Sequence, residues 1–282
     1  MKKERFKLID LATVKKVSSL FAGNYKTVFH GAGIEFNELK QYGFGEDVKN
    51  IDWLTSAKTG NTFVKKYVEE RELETLFLFD VGESMYFASG EKTKIDTAIE
   101  IFSILAFSSL KNNDKIGSVF FKDQILKEFE SRKGISNLLM MINYLNETSE
   151  INKIGSSSLD DVLEKLYIKK KKNSLIFILS DFTGDFNCKF LKALAIKNDI
   201  VFINIFDEFE DNLNLEGIHS FSGNNIVNLG NSRKIEEYRI LRKNKKEEFR
   251  KRIIRFGGDH FEINEKSQVF SVLYKFFKSR QI

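Results

Sequence analysis

The chain has 282 residues, 42% of them hydrophobic and 30% charged, a composition that supplies a core and excludes wholesale disorder. Its 45 basic residues against 40 acidic ones give a net charge of +5, and such a mixed balance does not imply a nucleic-acid partner. The length allows one large α/β domain with an appendage.

The sequence carries no pattern typical of export or membrane insertion. Residues 1–8 are basic but lack the apolar core of a signal peptide, which is ~7–15 residues long. No apolar run approaches the ~18 residues of a membrane span. A single cysteine, Cys188, excludes an internal disulfide and favours a reducing compartment. These features predict a cytoplasmic protein.

The first part of the chain predicts a small appendage with one helix and some β structure. Residues 4–21 place apolar side chains at helical spacing, which predicts a short amphipathic helix. Residues 58–61 predict a hairpin-type turn that leads into an alternating strand over residues 62–68. We therefore expect the appendage in residues 1–72 and the main domain in residues 73–282.

Three apolar runs, each of which ends at an aspartate, predict the centre of the main domain. Continuous apolar runs of this length are typical of strands that are covered on both faces, as in a parallel sheet. Ligand sites of such sheets lie beyond the carboxyl ends of the strands, so the three aspartates are expected to share one edge. The runs are residues 76–79 before Asp80, residues 175–179 before Ser180 and Asp181, and residues 200–206 before Asp207.

The other predicted elements surround this sheet. Helical spacing of apolar residues predicts helices that pack on it, and two short apolar runs joined at Lys122 and Asp123 predict an antiparallel hairpin at one edge. The predicted helices cover residues 95–111, 134–145, 159–166 and a last segment capped by Ser267, and the predicted strands cover residues 116–121, 124–129, 224–229 at an edge, and 260–263.

Residues 233–255 predict a strongly basic helix. Eleven Lys and Arg residues face four glutamates there, while Ile235, Tyr238, Leu241, Phe249 and Ile253 form an apolar stripe. A charge run of this kind is typical of a solvated outer helix. Nucleic-acid binding through this helix remains an alternative.

Oxygen-bearing side chains near the predicted sheet edge suggest a metal site. Asp80 and Ser84 lie four residues apart in one loop, Asp181 ends a second strand, and Ser157 lies at a predicted helix start. Hard divalent cations such as Mg²⁺ prefer oxygen ligands and leave room for waters or a partner's carboxylate. Turn capping by the same aspartates is an equally good interpretation of the residues alone.

The same residues argue against most enzyme classes. An aspartyl-nucleophile phosphatase needs a second carboxylate two residues after Asp80, where the chain has Gly82. The sequence contains neither a P-loop nor a Gly-x-Ser-x-Gly nucleophile elbow. We therefore expect a protein that is not an enzyme. A metal-dependent hydrolase that uses Asp80 and Asp181 remains an alternative.

The segment Asp80–Met85 resembles the metal-ion-dependent adhesion motif Asp-x-Ser-x-Ser of von Willebrand factor A-like domains. More narrowly, residues 31–111 resemble the bacterial domain-of-unknown-function family fifty-eight, whose members are commonly encoded beside MoxR-type AAA+ ATPases. Within that range the resemblance is carried by Gly33–Phe36, Leu39–Tyr42, Gly45–Val48, Ile51–Trp53, Val64 with Glu70, and the Asp80 loop. It continues through Leu179–Phe182, Asp207–Glu210 and Gly258–Asp259 with a closing helix, so it covers nearly the whole chain.

The resemblance implies a fold and a site. The fold is α/β, with a von Willebrand factor A-like (Rossmann-like), mostly parallel sheet flanked by helices and a small β-containing appendage before it. The implied site holds Mg²⁺ or Ca²⁺ on Asp80, Ser84, Ser157 and Asp181. Gly82 stands where the motif has its first serine, so a hydroxyl ligand is missing and metal affinity should fall.

The resemblance also implies a function. It points to a non-enzymatic protein-interaction module, an adaptor that acts with a MoxR-type AAA+ ATPase in protein assembly, stress response or envelope maintenance. Other von Willebrand factor A-like proteins are a second class of partner that it allows. Many relatives carry transmembrane segments ahead of the motif region and this sequence does not, which leaves a membrane-bound partner open. No nucleic-acid partner is expected.

Overall fold

The computed structural model of the protein describes residues 34–43, 47–69, 74–148, 158–169, 171–184, 189–212, 218–221, 225–228 and 232–280. The chain divides into two compact units. The small unit ends at residue 72, and the strands of the large unit follow from residue 73 onward. The helix predicted over residues 4–21 and the serine predicted as a ligand, Ser157, lie outside the described residues.

The small unit is built on a pair of antiparallel strands. Strand β1 (Ile34–Gln41) pairs with β2 (Phe63–Glu69), and a 3₁₀ turn (Val48–Asn50) and helix α1 (Trp53–Thr59) lie between them in the chain. Asp52 caps α1, because its Oδ1 accepts hydrogen bonds from the backbone N–H groups of the second and third helical residues. The cap fixes where the helix starts and therefore places Trp53 at its first position.

The prediction of a hairpin-type turn at residues 58–61 is wrong. Gly60 ends α1 instead, with a left-handed backbone (φ 75°) and its N–H bonded to the carbonyl of Ser56. Glycine serves both purposes because it lacks a Cβ, and the pattern Lys-Thr-Gly-Asn does not distinguish a helix end from a hairpin. The strand that follows the turn, β2, does form.

The large unit contains a six-stranded, mostly parallel sheet. The strands after β2 are β3 (Glu74–Asp80), β4 (Lys115–Phe121), β5 (Ile125–Arg132), β6 (Ser174–Ser180), β7 (Asp199–Phe206), β8 (Ile218–Phe221), β9 (Asn225–Asn228) and β10 (Asp259–Asn264). The order in the main sheet is β10-β7-β6-β3-β4-β5, and only the edge strand β5 is antiparallel to its neighbour. The predicted parallel neighbours and the antiparallel hairpin edge are therefore confirmed.

The strand predicted at residues 224–229 forms, but its predicted place at the edge of the main sheet is wrong. Strand β9 pairs with β8 in a separate two-stranded antiparallel sheet, and β10 occupies the edge of the main sheet beside β7. A short apolar run at the end of a loop identifies a strand but not its partner, because pairing is decided by contacts between distant segments.

Helices cover both faces of the sheet. Along the central strand β3, Phe77 and Phe79 face one core, whereas Leu76 and Leu78 face the other, as the two-residue period of a strand requires. After α1 the helices are α2 (Lys94–Lys111), α3 (Ile135–Thr148), α4 (Leu159–Ile168), α5 (Leu191–Ala195), α6 (Glu208–Asn212), α7 (Ser232–Arg255) and α8 (Val269–Ser279).

The two cores are formed by different helices. The core around Phe77 takes buried residues from α2, α3 and α8, and the ring of Phe102 in α2 meets Phe77 edge-to-face with 4.9 Å between centroids. The core around Leu78 takes residues from α4, α5 and α7. Each fully buried side chain of this size stabilises the fold by about 1.5–3 kcal/mol. Among the helices in the described ranges, none has the length and apolar character needed to cross a membrane.

Candidate functional site

The carboxyl ends of β3, β6 and β7 bring the three predicted aspartates to one edge of the sheet. Strands β3 and β6 run parallel with Phe79 opposite Leu179, and β6 and β7 run parallel with Ser180 opposite Asn204. The residues that follow each strand therefore emerge side by side. All three aspartates at this edge are buried.

Asp80 is fully buried and accepts hydrogen bonds at both carboxylate oxygens. Its Oδ1 accepts from the backbone N–H of Gly82 at 2.8 Å, and its Oδ2 accepts from the hydroxyl of Ser180 at 2.5 Å. Gly82 thus contributes a main-chain donor at the position where the adhesion motif has a serine. The short 3₁₀ turn Glu83–Tyr86 follows at once and carries Ser84.

Asp181 is held by donors from three parts of the chain. Its Oδ2 accepts from the Nζ of Lys94 at 2.7 Å, and its Oδ1 accepts from the N–H and the hydroxyl of Thr183 at 3.2 and 3.0 Å. The hydroxyl of Ser84 also donates to this carboxylate. Burial alone would raise the pKa of Asp181, but the Lys94 ammonium and these hydrogen bonds outweigh it and hold the pKa below its usual value.

Lys94 is the residue at this edge that sequence reasoning missed. Its side chain is fully buried, and its Nζ donates to Asp181 and to Oε1 and Oε2 of Glu210 at 2.8 and 2.9 Å. Burial acts to lower the pKa of Lys94, but the charges of Asp181 and Glu210 outweigh it and raise the pKa, so the side chain is an ammonium. The available signal was a lysine at the start of α2, where the helix dipole disfavours a cation.

Glu210 extends the ion pairs to helix α7. It lies on the short helix α6, and its Oε2 also accepts from the guanidinium of Arg242 at 2.9 Å. Arg242 in turn donates to the hydroxyl of Tyr238, one turn earlier on α7, at 3.0 Å. Two carboxylates, Asp181 and Glu210, are therefore matched by two cations, Lys94 and Arg242.

Asp207 has a structural role at this edge. Its Oδ1 accepts from the N–H of Phe209 in the first turn of α6, and its Oδ2 accepts from the N–H of Ser89 in the loop after β3. The rings of Phe87 and Phe209 stack with 6.4 Å between centroids and join the same two segments. For Asp207, turn and helix capping explains the residue fully.

Three of the four predicted metal ligands, Asp80, Ser84 and Asp181, come together at the edge, and the fourth, Ser157, lies outside the described residues. Their hydrogen bonds fit a divalent cation poorly. Mg²⁺ takes oxygen ligands at ~2.0–2.1 Å in octahedral geometry, and an ammonium beside those ligands repels it. Here the Lys94 ammonium already binds Asp181, and Asp80 accepts from Ser180 and Gly82. A metal at this edge stays a prediction.

The family model described as "Protein of unknown function DUF58" matches residues 38–252, which include the whole buried edge. The chain belongs to this family. Uncharacterized proteins of Mycobacterium tuberculosis and Mycobacterium bovis are each 22% identical to it over 200 residues, or 71% of this chain. This DUF58 chain matches 63% of the length of those relatives, so the rest of their sequence has no counterpart in the alignment.

Two solved structures resemble this DUF58 protein at low identity. The conserved hypothetical protein BatB from Bacteroides thetaiotaomicron is 12% identical, with a TM-score of 0.48, and the match covers 74% of this chain and 98% of that one. Proximal thread matrix protein 1 from the mussel byssus is 14% identical, with a TM-score of 0.37, and the match covers 50% of this chain and 39% of that one.

Proposed function

We propose that this DUF58 protein is a non-enzymatic protein-interaction module of von Willebrand factor A-like fold. In this proposal it is a cytoplasmic adaptor that acts with a MoxR-type AAA+ ATPase in protein assembly, stress response or envelope maintenance. The partner comes from the resemblance in the motif residues. Other von Willebrand factor A-like proteins are a second class of partner.

The observation that carries the proposal is the exposure of large apolar residues in the small unit. Trp53, the only tryptophan of the chain, exposes 68% of its surface, and its neighbour Leu54 exposes 70%. Val48, five residues earlier, is exposed as well. Tryptophan is enriched among the residues that contribute most to protein–protein binding, and exposed apolar patches mark interaction sites.

The hydrogen bonds at the sheet edge favour binding over hydrolysis. A hydrolase built on Asp80 and Asp181 needs one carboxylate that can take a proton or a metal-bound water. Asp80 instead accepts from Ser180 and Gly82, and Asp181 from Lys94, Thr183 and Ser84. Metal-dependent hydrolysis of p-nitrophenyl phosphate that disappears in Asp80→Asn would establish the hydrolase alternative in place of the adaptor.

The adaptor is tested by direct binding to the MoxR-type ATPase of the same organism. We expect saturable binding of the full chain in biolayer interferometry, and we expect Trp53→Ala with Leu54→Ala to weaken it at least tenfold, since hot-spot residues contribute ~2 kcal/mol or more. Ile196→Ala is the matched control, because this side chain is also apolar and exposes 71% of its surface.

Two results would contradict the proposal. The first is an absence of saturable binding to the ATPase in its ATP-bound, ADP-bound and nucleotide-free states. The second is binding that the Trp53 and Leu54 substitutions weaken no more than Ile196→Ala does, which would remove the exposed apolar residues from the interface.

A further inference from the structure

The Lys94 ammonium lies where a bound cation would balance the carboxylates of the sheet edge. Its three N–H groups have three carboxylate oxygens within hydrogen-bond distance, Oδ2 of Asp181 at 2.7 Å and both oxygens of Glu210 at 2.8 and 2.9 Å. The ring of Phe87 lies 5.8 Å from the same nitrogen and adds a favourable cation–π contact. The side chain is fully buried, so these groups replace its hydration shell.

The four groups that these ion pairs join balance in charge without any added ion. Asp181 and Glu210 contribute two negative charges, and Lys94 and Arg242 contribute two positive charges. A divalent cation added beside Asp181 would meet the ammonium, with little solvent to screen their repulsion. It would also have to displace the hydrogen bonds that the carboxylate accepts from Thr183 and Ser84.

We propose that Lys94 is the resident cation of this edge, so that the protein maintains the site without a divalent metal, and that loss of the ammonium converts the edge into a metal site. The oxygens that would then face one another belong to Asp181, Glu210 and Ser84, the kind of donor that Mg²⁺ and Ca²⁺ prefer. This inference concerns the charge balance of the edge and does not depend on the adaptor proposal.

Metal titration of the wild-type full chain and of Lys94→Ala tests both halves of the inference. For the wild type we expect the same melting temperature in EDTA and in excess MgCl₂ or CaCl₂, and no saturable heat in calorimetric titration. The variant should melt at a lower temperature in EDTA, because the buried Asp181 then loses its counterion and Glu210 keeps only Arg242. Its melting temperature should rise with metal concentration, since ligand that binds only the folded state stabilises it.

Lys92→Ala is the matched control. Lys92 lies two residues earlier, in the loop that precedes α2, its side chain is 44% exposed, and it pairs with Glu100 at 3.1 Å. The control removes the same charge from the chain without touching the buried edge. It should show no response to metal, so a gain seen in both variants would be a nonspecific effect of net charge and would count against the inference.

If Lys94→Ala does not fold in EDTA, further variants still test the inference. Lys94→Met retains the apolar stem of the side chain and removes only the charge, and either variant that folds when Mg²⁺ is added supports the conversion. If neither folds in any condition, including excess Mg²⁺, the conversion into a metal site is refuted, and the wild type decides whether Lys94 is the resident cation. Saturable Mg²⁺ binding by the wild type that Asp181→Asn abolishes would overturn the resident-cation proposal, as would folded Lys94 variants that bind no metal.

Discussion

Lys94 begins helix α2, where the positive end of the helix dipole disfavours a cation by about 0.3–1 kcal/mol. Two carboxylates within hydrogen-bond distance offset this cost, and the raised pKa of Lys94 shows that their attraction also exceeds the penalty of burial. An unfavourable local position is thus maintained by tertiary contacts. Replacing only one partner would leave a charge buried without its counterion, which is why such pairs are sensitive to single substitutions.

The aspartates of the sheet edge could be predicted from the sequence, but their counterion could not. An aspartate that directly follows a buried parallel strand has a known position relative to the next strand, so Asp80 and Asp181 were expected together. Lys94 and Glu210 are 116 residues apart in the chain, and nothing local in either segment indicates the other. Their pairing depends on where α2 and α6 pack, which is decided by the whole core.

His260 should make the stability of the protein depend on pH. Burial, together with the positive charges of Arg250 and Lys246, holds the pKa of His260 below its usual value of 6.5, although Glu262 acts in the opposite direction. Below pH 6.5 the unfolded chain therefore binds a proton at this residue that the folded chain binds only at lower pH. The free energy of unfolding should fall as the pH decreases from 6.5 towards that lowered pKa.

Urea denaturation of the wild type and of His260→Phe at pH 7.5 and pH 5.5 measures this effect. The phenyl ring preserves the edge-to-face contact with Phe249, whose ring centroid lies 5.6 Å away. We expect the loss of stability between the two pH values to be smaller in the variant than in the wild type. Equal losses in both proteins would mean that other groups carry the pH dependence.

At the scale of elements, helix α2 starts with a complete capping box. The Thr93 side chain accepts from the N–H of Asp96, and the Asp96 carboxylate accepts from the N–H of Thr93. This box fixes the first turn of α2 and therefore the direction in which Lys94 enters the sheet edge. The predicted helix began one residue later, at Ile95, because apolar spacing alone does not show the cap.

Thr93→Ala should lower the free energy of unfolding by about 1 kcal/mol, because it removes the side chain that caps the helix. Thr62→Ala is the matched control, since Thr62 is exposed in the connection before β2 and a substitution there should change stability by less than ~0.5 kcal/mol. Urea denaturation followed by circular dichroism measures both. Indistinguishable stabilities of the two variants would show that the box contributes nothing to the fold.

Strands were easier to predict than their connections. The runs that became β3, β6 and β7 are almost entirely apolar over four to seven residues, which is typical of strands covered on both faces. The turn at Gly60 was mistaken for a hairpin, and β9 was assigned to the wrong sheet, because short polar connections are compatible with several geometries. The spacing of apolar residues shows which side chains are buried, but it does not show which strands pair with one another.

At the scale of the whole molecule, acidic and basic residues are nearly equal in number, but α7 carries a basic excess of eleven Lys and Arg against four Glu. The net charge of +5 is small for 85 charged residues, and on α7 part of the basic charge is paired within the helix, as in Lys251 with Glu247 and Arg252 with Glu248. Such pairs leave fewer cations available to release counterions from a polyanion.

We therefore expect only weak binding to duplex DNA, of the nonspecific kind with dissociation constants of ~10⁻⁴–10⁻⁶ M at physiological salt. Fluorescence anisotropy with a labelled duplex at low and physiological salt measures it. Tight binding with a steep salt dependence that Lys243→Glu and Lys245→Glu flatten would establish α7 as a nucleic-acid interface and would contradict the adaptor proposal.

A counterion that is a side chain of the protein, such as Lys94, affects how the sheet edge can be regulated. A metal-loaded edge can be emptied by a chelator or filled by a change in cellular ion levels, and its occupancy varies from molecule to molecule. If Lys94 is the resident cation, as proposed above, the edge has the same occupancy in every copy from the moment the chain folds, and changes in ion supply do not alter it. On that proposal, any switching of the edge would require movement of the five-residue helix α6, which carries Glu210.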